Sequence, residues 1–377
     1  MFPLRIISVR KFPLEMSVIP MSDKLSLGVV FGGQSSEHEV SLMSAASILE
    51  NLDPAKYDIH KIGVTKEGRW LLYTGELALL PSGQWEKGPV EPAFLSPDPS
   101  LHGLVVLGEN PRTIHLDCVF PALHGKNGED GTLQGLLALS GIPYVGCNTE
   151  ASAICMDKAV THTLLSAANI EQAHYLWFYA DRFDCAPETI KNKICARLDF
   201  PVFVKPANAG SSVGVSKVES PEGLDEAIRK AAKEDGKIMV EEGIKGQEVE
   251  CAVLGNRQDA LASMVGEIGA SAQFYDYDDK YVNGTSQLYI PARIPEEAAK
   301  QIQETAVRAY RLLGCSGLAR VDFFVTEGDN RVVLNELNTL PGFTSISMYP
   351  KLWMAMGLRY GELLDRLIAL AFRQAGC

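Results

Sequence analysis

Gly317–Asn338 reads GLARVDFFVTEGDNRVVLNELN. Two runs of alternating apolar residues flank the turn-forming cluster Gly328, Asp329, Asn330, so the stretch predicts a β-hairpin. Side chains two apart share a face of a strand, which places Arg320 with Asp322 on the first arm and Glu336 with Asn338 on the second. A three-residue loop, Gly328–Asn330, sets Asp322 opposite Glu336 and Arg320 opposite Asn338. Opposed carboxylates repel unless a cation lies between them. Oxygen-only ligands of this kind suit magnesium, which takes one or two carboxylates and fills its octahedron with water and phosphate oxygens. A solvated polar face is the other reading of the same pattern.

A hundred residues upstream, KPANAGSSVGVSKV (Lys205–Val218) places a lysine at the end of an apolar run, then a loop of small residues, then a return to alternation. Glycines and serines let backbone N–H groups turn toward an anion, and Lys205 adds charge. The order differs from a P-loop, where the lysine follows the glycines and opens a helix, and no G-x-G-x-x-G occurs. An ordinary Gly-rich hairpin would look the same in isolation. A phosphate loop and a magnesium hairpin in one chain explain each other.

The chain has 377 residues, 46% hydrophobic and 22% charged, as expected of a soluble globular protein with two or three domains. A net charge of -12 argues against a general nucleic-acid binder, so a phosphate site must be local. No apolar run reaches the length of a membrane span, and Arg5, Arg10, Lys11 and Glu15 interrupt the apolar start before it forms a signal-peptide core. The eight cysteines show no C-x-x-C or metal-ligand spacing and read as reduced, mostly buried thiols of a cytoplasmic protein.

LSLGVVF (Leu25–Phe31), Gly32, Gly33 and a helical pattern through Val40, Ala45, Ile48 and Leu52 form a βα unit. Ser36 and Glu39 fit a capping box, which leaves Glu37 free for another task. A second unit runs LDCVF, the loop PALHGKNGEDGT, a helix stopped at Gly141, and the strand IPYVG. Parallel strands would present both loops at their carboxyl ends, where open sheets bind ligands. Residues 65–112 break into short runs consistent with hairpins or an irregular insertion. Strands at ARLDFPVFVKP, KIMVEEGI and VECAVLG, a helix over Asp157–Ala168, a polar loop over Ala272–Ser286 and a helix over Glu296–Leu313 complete the pattern: two short α+β domains after a βαβ domain. The expected limits are 1–22 (an extension, with Met1, Met16 or Met21 as start), 23–146, 147–241 and 242–377.

With these pieces in order, the chain resembles the ATP-grasp ligases, and within them the D-alanine:D-alanine ligases, from about Leu25 to its last helix. The motifs that carry the resemblance are FGGQSSEHEVSL, LHGKNGEDGTLQG, MDK, FVKPANAGSSVG, VEEGIKGQEVECAVLG, FYDYDDKY, ARVDFF and NELNTLPGFTS. The resemblance implies a three-domain ATP-grasp architecture, mixed α/β and α+β, with an N-terminal parallel α/β domain. It implies ATP and two magnesium (or manganese) ions, two D-alanine molecules as substrates, and a homodimer. Lys158, Lys205 and Lys280 would hold the phosphates; Glu241 would take the adenine amino group, Glu248 the ribose, and Ser212, Glu242 and Ile244 would complete the nucleotide site. Asp322, Glu336 and Asn338 would bind the metals. Glu37 would receive the first alanine's ammonium, linked through Ser211 to Tyr281, with His124 near that alanine's carboxylate. Arg320 and the Gly342 N–H would form an oxyanion hole, and Ser347 and Met348 would hold the second alanine. Tyr281 is also the residue expected to set amine against hydroxyl as nucleophile. A sister ligase using D-serine or D-lactate, or a nucleotide-binding regulator that has lost catalysis, are the rival readings.

Overall fold

The computed structural model describes residues 24–269 and 287–376. The expected extension at 1–22 and the whole polar loop at 272–286, with Lys280 and Tyr281, lie outside them.

The first sheet grows outward from a largely apolar strand. β1 (Leu25–Gly32) and its helix α1 (His38–Asn51) are followed by β2 (Tyr57–Val64), β3 (Trp70–Tyr73), β4 (Val90–Leu95), β5 (Gly103–Val106), β6 (Arg112–His115) and β7 (Cys118–Pro121). Their order is β6-β5-β4-β3-β2-β1-β7. Only β2, β1 and β7 run parallel; β3 to β6 extend the sheet as antiparallel hairpins, so the 65–112 segment is sheet rather than irregular insertion. The expected strand at IPYVG reduces to one parallel bridge, Val119 to Tyr144. α2 (Thr132–Ser140) ends at Gly141 in the left-handed conformation, as its sequence predicts.

The capping box does not form. α1 begins at His38, with Glu37 in the N-cap position and no side-chain cap. Ser35, not Ser36, organises the turn: its Oγ accepts from the Glu37 N–H at 3.0 Å and its carbonyl from the His38 N–H at 3.2 Å. Glu39 pairs instead with Lys66. The two glycines at the end of β1 let the chain turn for longer than the spacing rule allows, and the helix starts late.

α3 (Thr149–Met156) and α4 (Lys158–Ala167) lead into the central sheet, β8 (Tyr175–Tyr179), β9 (Val202–Pro206), β10 (Ser216–Val218) and β11 (Lys237–Glu242), ordered β10-β9-β11-β8. Helices α5 (Ala180–Cys185), α6 (Pro187–Arg197) and α7 (Leu224–Ala231) cover one face, burying Phe178, Val202, Val204, Ile238 and Val240 in a core of their own. Alternation then sends Lys205 and Glu241 to the other face.

The third sheet holds β12 (Gly246–Leu254), β13 (Leu261–Gly269), β14 (Gln287–Tyr289), β15 (Leu318–Thr326) and β16 (Val332–Asn338), with α8 (Glu296–Leu312) packed against it. β15 and β16 are the expected hairpin, and Asp322 does face Glu336 while Arg320 faces Asn338. The route differs. Val325 pairs with Val332 and Phe323 with Leu334, so four residues, Glu327–Asn330, form the loop; a bulge at Asn335 restores the register. α9 (Met348–Ala355) and α10 (Tyr360–Ala375) tie this sheet to the first, in one core containing Phe31, Ile48, Leu254, Phe343, Trp353 and Leu364. Of the described cysteines, Cys118, Cys147, Cys155, Cys251 and Cys315 are buried and Cys185 and Cys195 exposed, all unpaired. No helix among the described residues is long and apolar enough to cross a membrane.

Candidate active site

Two cavities of about 430 and 670 Å3 open between the three sheets and share Lys158, Gly210, Ser211 and Glu336 along their seam. They are two lobes of one cleft.

In the smaller lobe, Glu37 points back from the start of α1 toward the glycine- and serine-rich loop, where the Ser211 hydroxyl donates to its carboxylate. The loop comes very close. A Cβ on Gly210 would lie 2.7 Å from the Glu37 Oε2, and one on Gly125 would lie 2.4 Å from it, so a side chain at either position would push this carboxylate aside. His124 is buried behind this pair. Its Nε2 lies 2.9 Å from the Ser44 Oγ, and its Nδ1 lies 3.1 Å from the Leu340 carbonyl and 3.4 Å from Glu129. Burial pulls the imidazole pKa down, yet Glu129, Glu37 and the carbonyl outweigh it and the net direction is up.

The hairpin forms the opposite wall. Arg320 grips both Asp322 oxygens at 2.7 Å and sits 3.1 Å from Glu250. The cation expected between opposed carboxylates is thus, on the Asp322 side, a guanidinium of the same strand. Asp322 is 4% exposed, and it lies behind Arg320 rather than on the cleft surface. Glu336 and Asn338 do line the cleft, with Gly342, Ser347 and Met348 beyond them. The Ser347 Oγ accepts from the Thr344 N–H at 3.0 Å, which fixes it at the entry to α9.

The larger lobe is lined by Lys205, Ser212, Glu241, Glu242, Ile244 and Glu248. Lys205 and Glu241 form a buried ion pair. Lys158, first residue of α4, donates to the Ala209 carbonyl at 2.8 Å and lies 3.6 Å from Glu336 across the seam. Glu242 turns its carboxylate outward, to the Asp199 N–H at 3.0 Å and His174 at 3.1 Å, leaving its backbone to the lobe. His162, one turn beyond Lys158, is buried against Tyr175 with its Nδ1 unpartnered, and burial pulls its pKa down to about 4.

A model described as D-ala D-ala ligase N-terminus matches residues 26–147, and one described as D-ala D-ala ligase C-terminus matches residues 164–369. The chain belongs to the D-alanine–D-alanine ligase family. A D-alanine–D-alanine ligase of Caldicellulosiruptor bescii is 50% identical over 352 residues, 93% of this chain and 96% of that protein. One from Acetivibrio thermocellus is 49% identical over 94% of this chain and 97% of its own. Among solved structures, the VanG D-Ala:D-Ser ligase from Enterococcus faecalis superposes with a TM-score of 0.84 at 45% identity, covering 93% of this chain and all of that one. The D-alanine-D-alanine ligase from Coxiella burnetii gives 0.82 at 38% identity, covering 94% and 96%.

Within this ligase, the residues expected from sequence gather in the two lobes, except Asp322, which is set back, and Lys280 and Tyr281, which lie outside the described residues. Glu250, Glu129, His162 and Lys351 are among the cleft residues that went unread. Glu250 stands opposite Asp322 on β12 and could have been found by extending the alternation of VECAVLG from Glu248. Glu129 follows His124 in a loop with no periodicity. His162 lies four residues past Lys158, hence on the same helix face. Lys351 lies four past Ser347.

Proposed function

We propose that the chain joins two D-alanine molecules in an ATP-driven reaction through a D-alanyl phosphate. In this reading a carboxylate oxygen of the first D-alanine attacks the terminal phosphorus of ATP, the bond to the bridging oxygen breaks and ADP departs. The neutral amine of the second D-alanine then attacks the acyl carbon. A tetrahedral oxyanion forms and collapses with loss of phosphate, and the amine's extra proton passes to solvent. No protein nucleophile is needed; position and charge carry the catalysis.

Glu37, held by Ser211, takes the ammonium of the first alanine, with His124 behind it. Lys158 and Lys205, with Lys280, face the phosphates; Glu241, Glu242 and Ile244 receive the base, Glu248 the ribose, and Ser212 belongs to the loop over the phosphates. Arg320 and the Gly342 N–H stabilise the oxyanion, while Ser347 and Met348 place the second alanine. Tyr281 is assigned by the same reading to act with Glu37 and Ser211. The donors of Asp322, Glu336 and Asn338 are all hard oxygens, and Glu336 stands at the seam where phosphates would lie, a set that fits magnesium or manganese. Those three residues would hold the ions, whose chemistry is to neutralise phosphate charge. Asp322 offers only the lone pairs that Arg320 leaves. The same reading divides the chain at 22/23, 146/147 and 241/242, makes it a homodimer, and puts it in the cytoplasm, where ATP is supplied.

The observation that supports the reading most is the Glu37–Ser211 contact, which seats a carboxylate for an ammonium at the junction of the two lobes. The test is ADP release with D-alanine as sole amino acid, with the product weighed by mass spectrometry. Dipeptide with one ADP and one phosphate per bond is expected; ADP release without a peptide would sink the assignment. The VanG relative favours a second reading, D-serine as acceptor. Mixed D-alanine and D-serine in the same assay separates the two.

A further inference from the structure

Between the end of β16 and the start of α9, the backbone of Leu340–Thr344 is held by side chains rather than by a ladder. Two contacts are local: the Leu340 N–H donates to the Asn338 side chain at 3.1 Å and the Thr344 N–H to the Ser347 Oγ at 3.0 Å. The others come from distant elements. The Leu340 carbonyl accepts from the His124 Nδ1 at 3.1 Å, the Phe343 N–H donates to the Ser44 Oγ at 3.2 Å, and the Phe343 carbonyl accepts from the Tyr360 hydroxyl at 2.6 Å. Pro341 has no N–H to satisfy. Within this stretch Gly342 alone keeps an N–H without a partner among the described residues, and Gly342 lines the smaller lobe.

Ser44 and His124 act as one bridge. A carbonyl only accepts, so the His124 Nδ1 carries a hydrogen; a backbone N–H only donates, so the Ser44 Oγ accepts it. The Ser44 Oγ and the His124 Nε2 meet at 2.9 Å, the hydroxyl donating to a neutral imidazole or accepting on its second lone pair from a protonated one. Either way the bridge runs from Leu340 to Phe343, with both ends on the loop and Gly342 between them. Ser44 is fully buried on α1 and His124 is 5% exposed, so solvent is kept from these bonds. Tyr360 of α10 clamps the other side of Phe343, and the Ser47 Oγ of α1 lies 3.0 Å from its hydroxyl. A donor fixed in advance needs no reorganisation when charge develops. The inference rests on the reading above, in which the Gly342 N–H meets the oxyanion. We propose that Ser44 is a positioning residue of that reaction: with His124 and Tyr360 it holds the Leu340–Phe343 loop so that the Gly342 N–H stays aimed at the oxyanion as it forms.

The test compares the wild type with Ser44→Ala and Tyr360→Phe, with thermal unfolding of each and rates taken well below the lowest Tm. Ser44→Ala is expected to lower kcat about tenfold, a fraction of what a missing oxyanion donor costs, and to leave the KM for ATP within about twofold. Binding of a phosphinate analogue of the dipeptide, whose tetrahedral phosphorus carries the oxyanion, should weaken about tenfold as well, while binding of ADP stays within about twofold. Tyr360→Phe should show the same split at about threefold, the scale of one neutral hydrogen bond. A kcat within twofold of wild type in Ser44→Ala would overturn the proposal. So would an equal loss of affinity for the phosphinate and for ADP, the mark of a residue that only shapes the cleft. Should Ser44→Ala fail to fold, Tyr360→Phe, which loses one oxygen from a partly buried ring, decides by the same split. A wild type that makes no peptide refutes the ligase reading, and this inference with it, before any variant is assayed.

Discussion

His162 and His124 are both buried, and their surroundings push their protonation in opposite directions. For His162 burial outweighs the nearby Glu241 and Glu336, while Lys205 and Lys158 add to the downward pull, giving about 4 against 6.5 for a free imidazole. Between those values the unfolded chain binds a proton that the folded chain refuses, so stability is full above 6.5 and falls as pH drops toward 4. A shift of that size corresponds to about 3 kcal/mol at most. His124 has the other sign: its raised pKa contributes stability that is full below the unfolded value and is lost as pH rises through the folded one. Denaturant titrations from pH 4 to 8 should therefore show His162→Gln flattening the acid side and His124→Gln flattening the neutral side; the same slope change in both would contradict these environments. Arg320 presents a different choice of variant. Asp322 and Glu250 are both buried around it, so Arg320→Met strands two carboxylates and should cost about 3–5 kcal/mol, confusing catalysis with folding. Arg320→Lys keeps the charge and loses the fork, so it should retain most of the stability while turnover falls by one to two orders of magnitude or so. A fully active Arg320→Lys would remove this side chain from the oxyanion hole.

The elements were legible where one local rule dominates and misread where two compete. Alternation placed Arg320, Asp322, Glu336 and Asn338 on their shared face, yet the expected loop was one residue too short, and the pairing came out right because the bulge at Asn335 cancels the error. A bulge leaves no mark in an apolar–polar pattern. The Ser36–Glu39 spacing satisfied the capping rule, but the Gly32–Gly33 turn decided where α1 starts. α4 is the opposite case, since its start is specified locally. Asp157 caps it by accepting from the Val160 N–H at 3.1 Å, and its other oxygen takes Lys237 of β11 at 2.7 Å. One side chain thus sets the first turn of the helix, which carries Lys158 into the seam, and binds it to the central sheet. Asp157→Ala should lose about 1–2 kcal/mol of stability and weaken nucleotide binding, because Lys158 loses its fixed origin. Asp157→Asn keeps the cap acceptor and drops the charge. If urea denaturation finds the two variants equally unstable, the ion pair rather than the cap holds α4.

At the scale of the molecule, the apolar cores explain both what could be read and what could not. Strand and helix patterns report which face of an element is buried, not against which partner, so the shared core of the first sheet, α9 and α10 was invisible in sequence. His124 is fixed by that shared core, through Ser44 on one side and the Leu340 carbonyl on the other, residues 80 and 216 positions away. The central sheet is built otherwise: Phe178, Val204, Ile228 and Val240 close a core separate from those of its neighbours. Its inner face meets the third sheet across the larger lobe, with Lys205 and Glu241 on one side and Glu248 and Glu336 on the other. A unit with its own core, facing its neighbour across a polar cavity, opens locally at lower free energy than one sharing a core. A nucleotide in that lobe bridges the two walls and stabilises the joined arrangement by about 2.7 kcal/mol at a hundredfold excess over its Kd. Hydrogen exchange should therefore slow on adding ADP with magnesium in residues 202–242, and remain unchanged in β1 and α1, which the shared core already protects. Protection spread evenly over both regions would mean that the chain opens as one cooperative unit, and the separate core of the central sheet would then have no bearing on how the cleft closes.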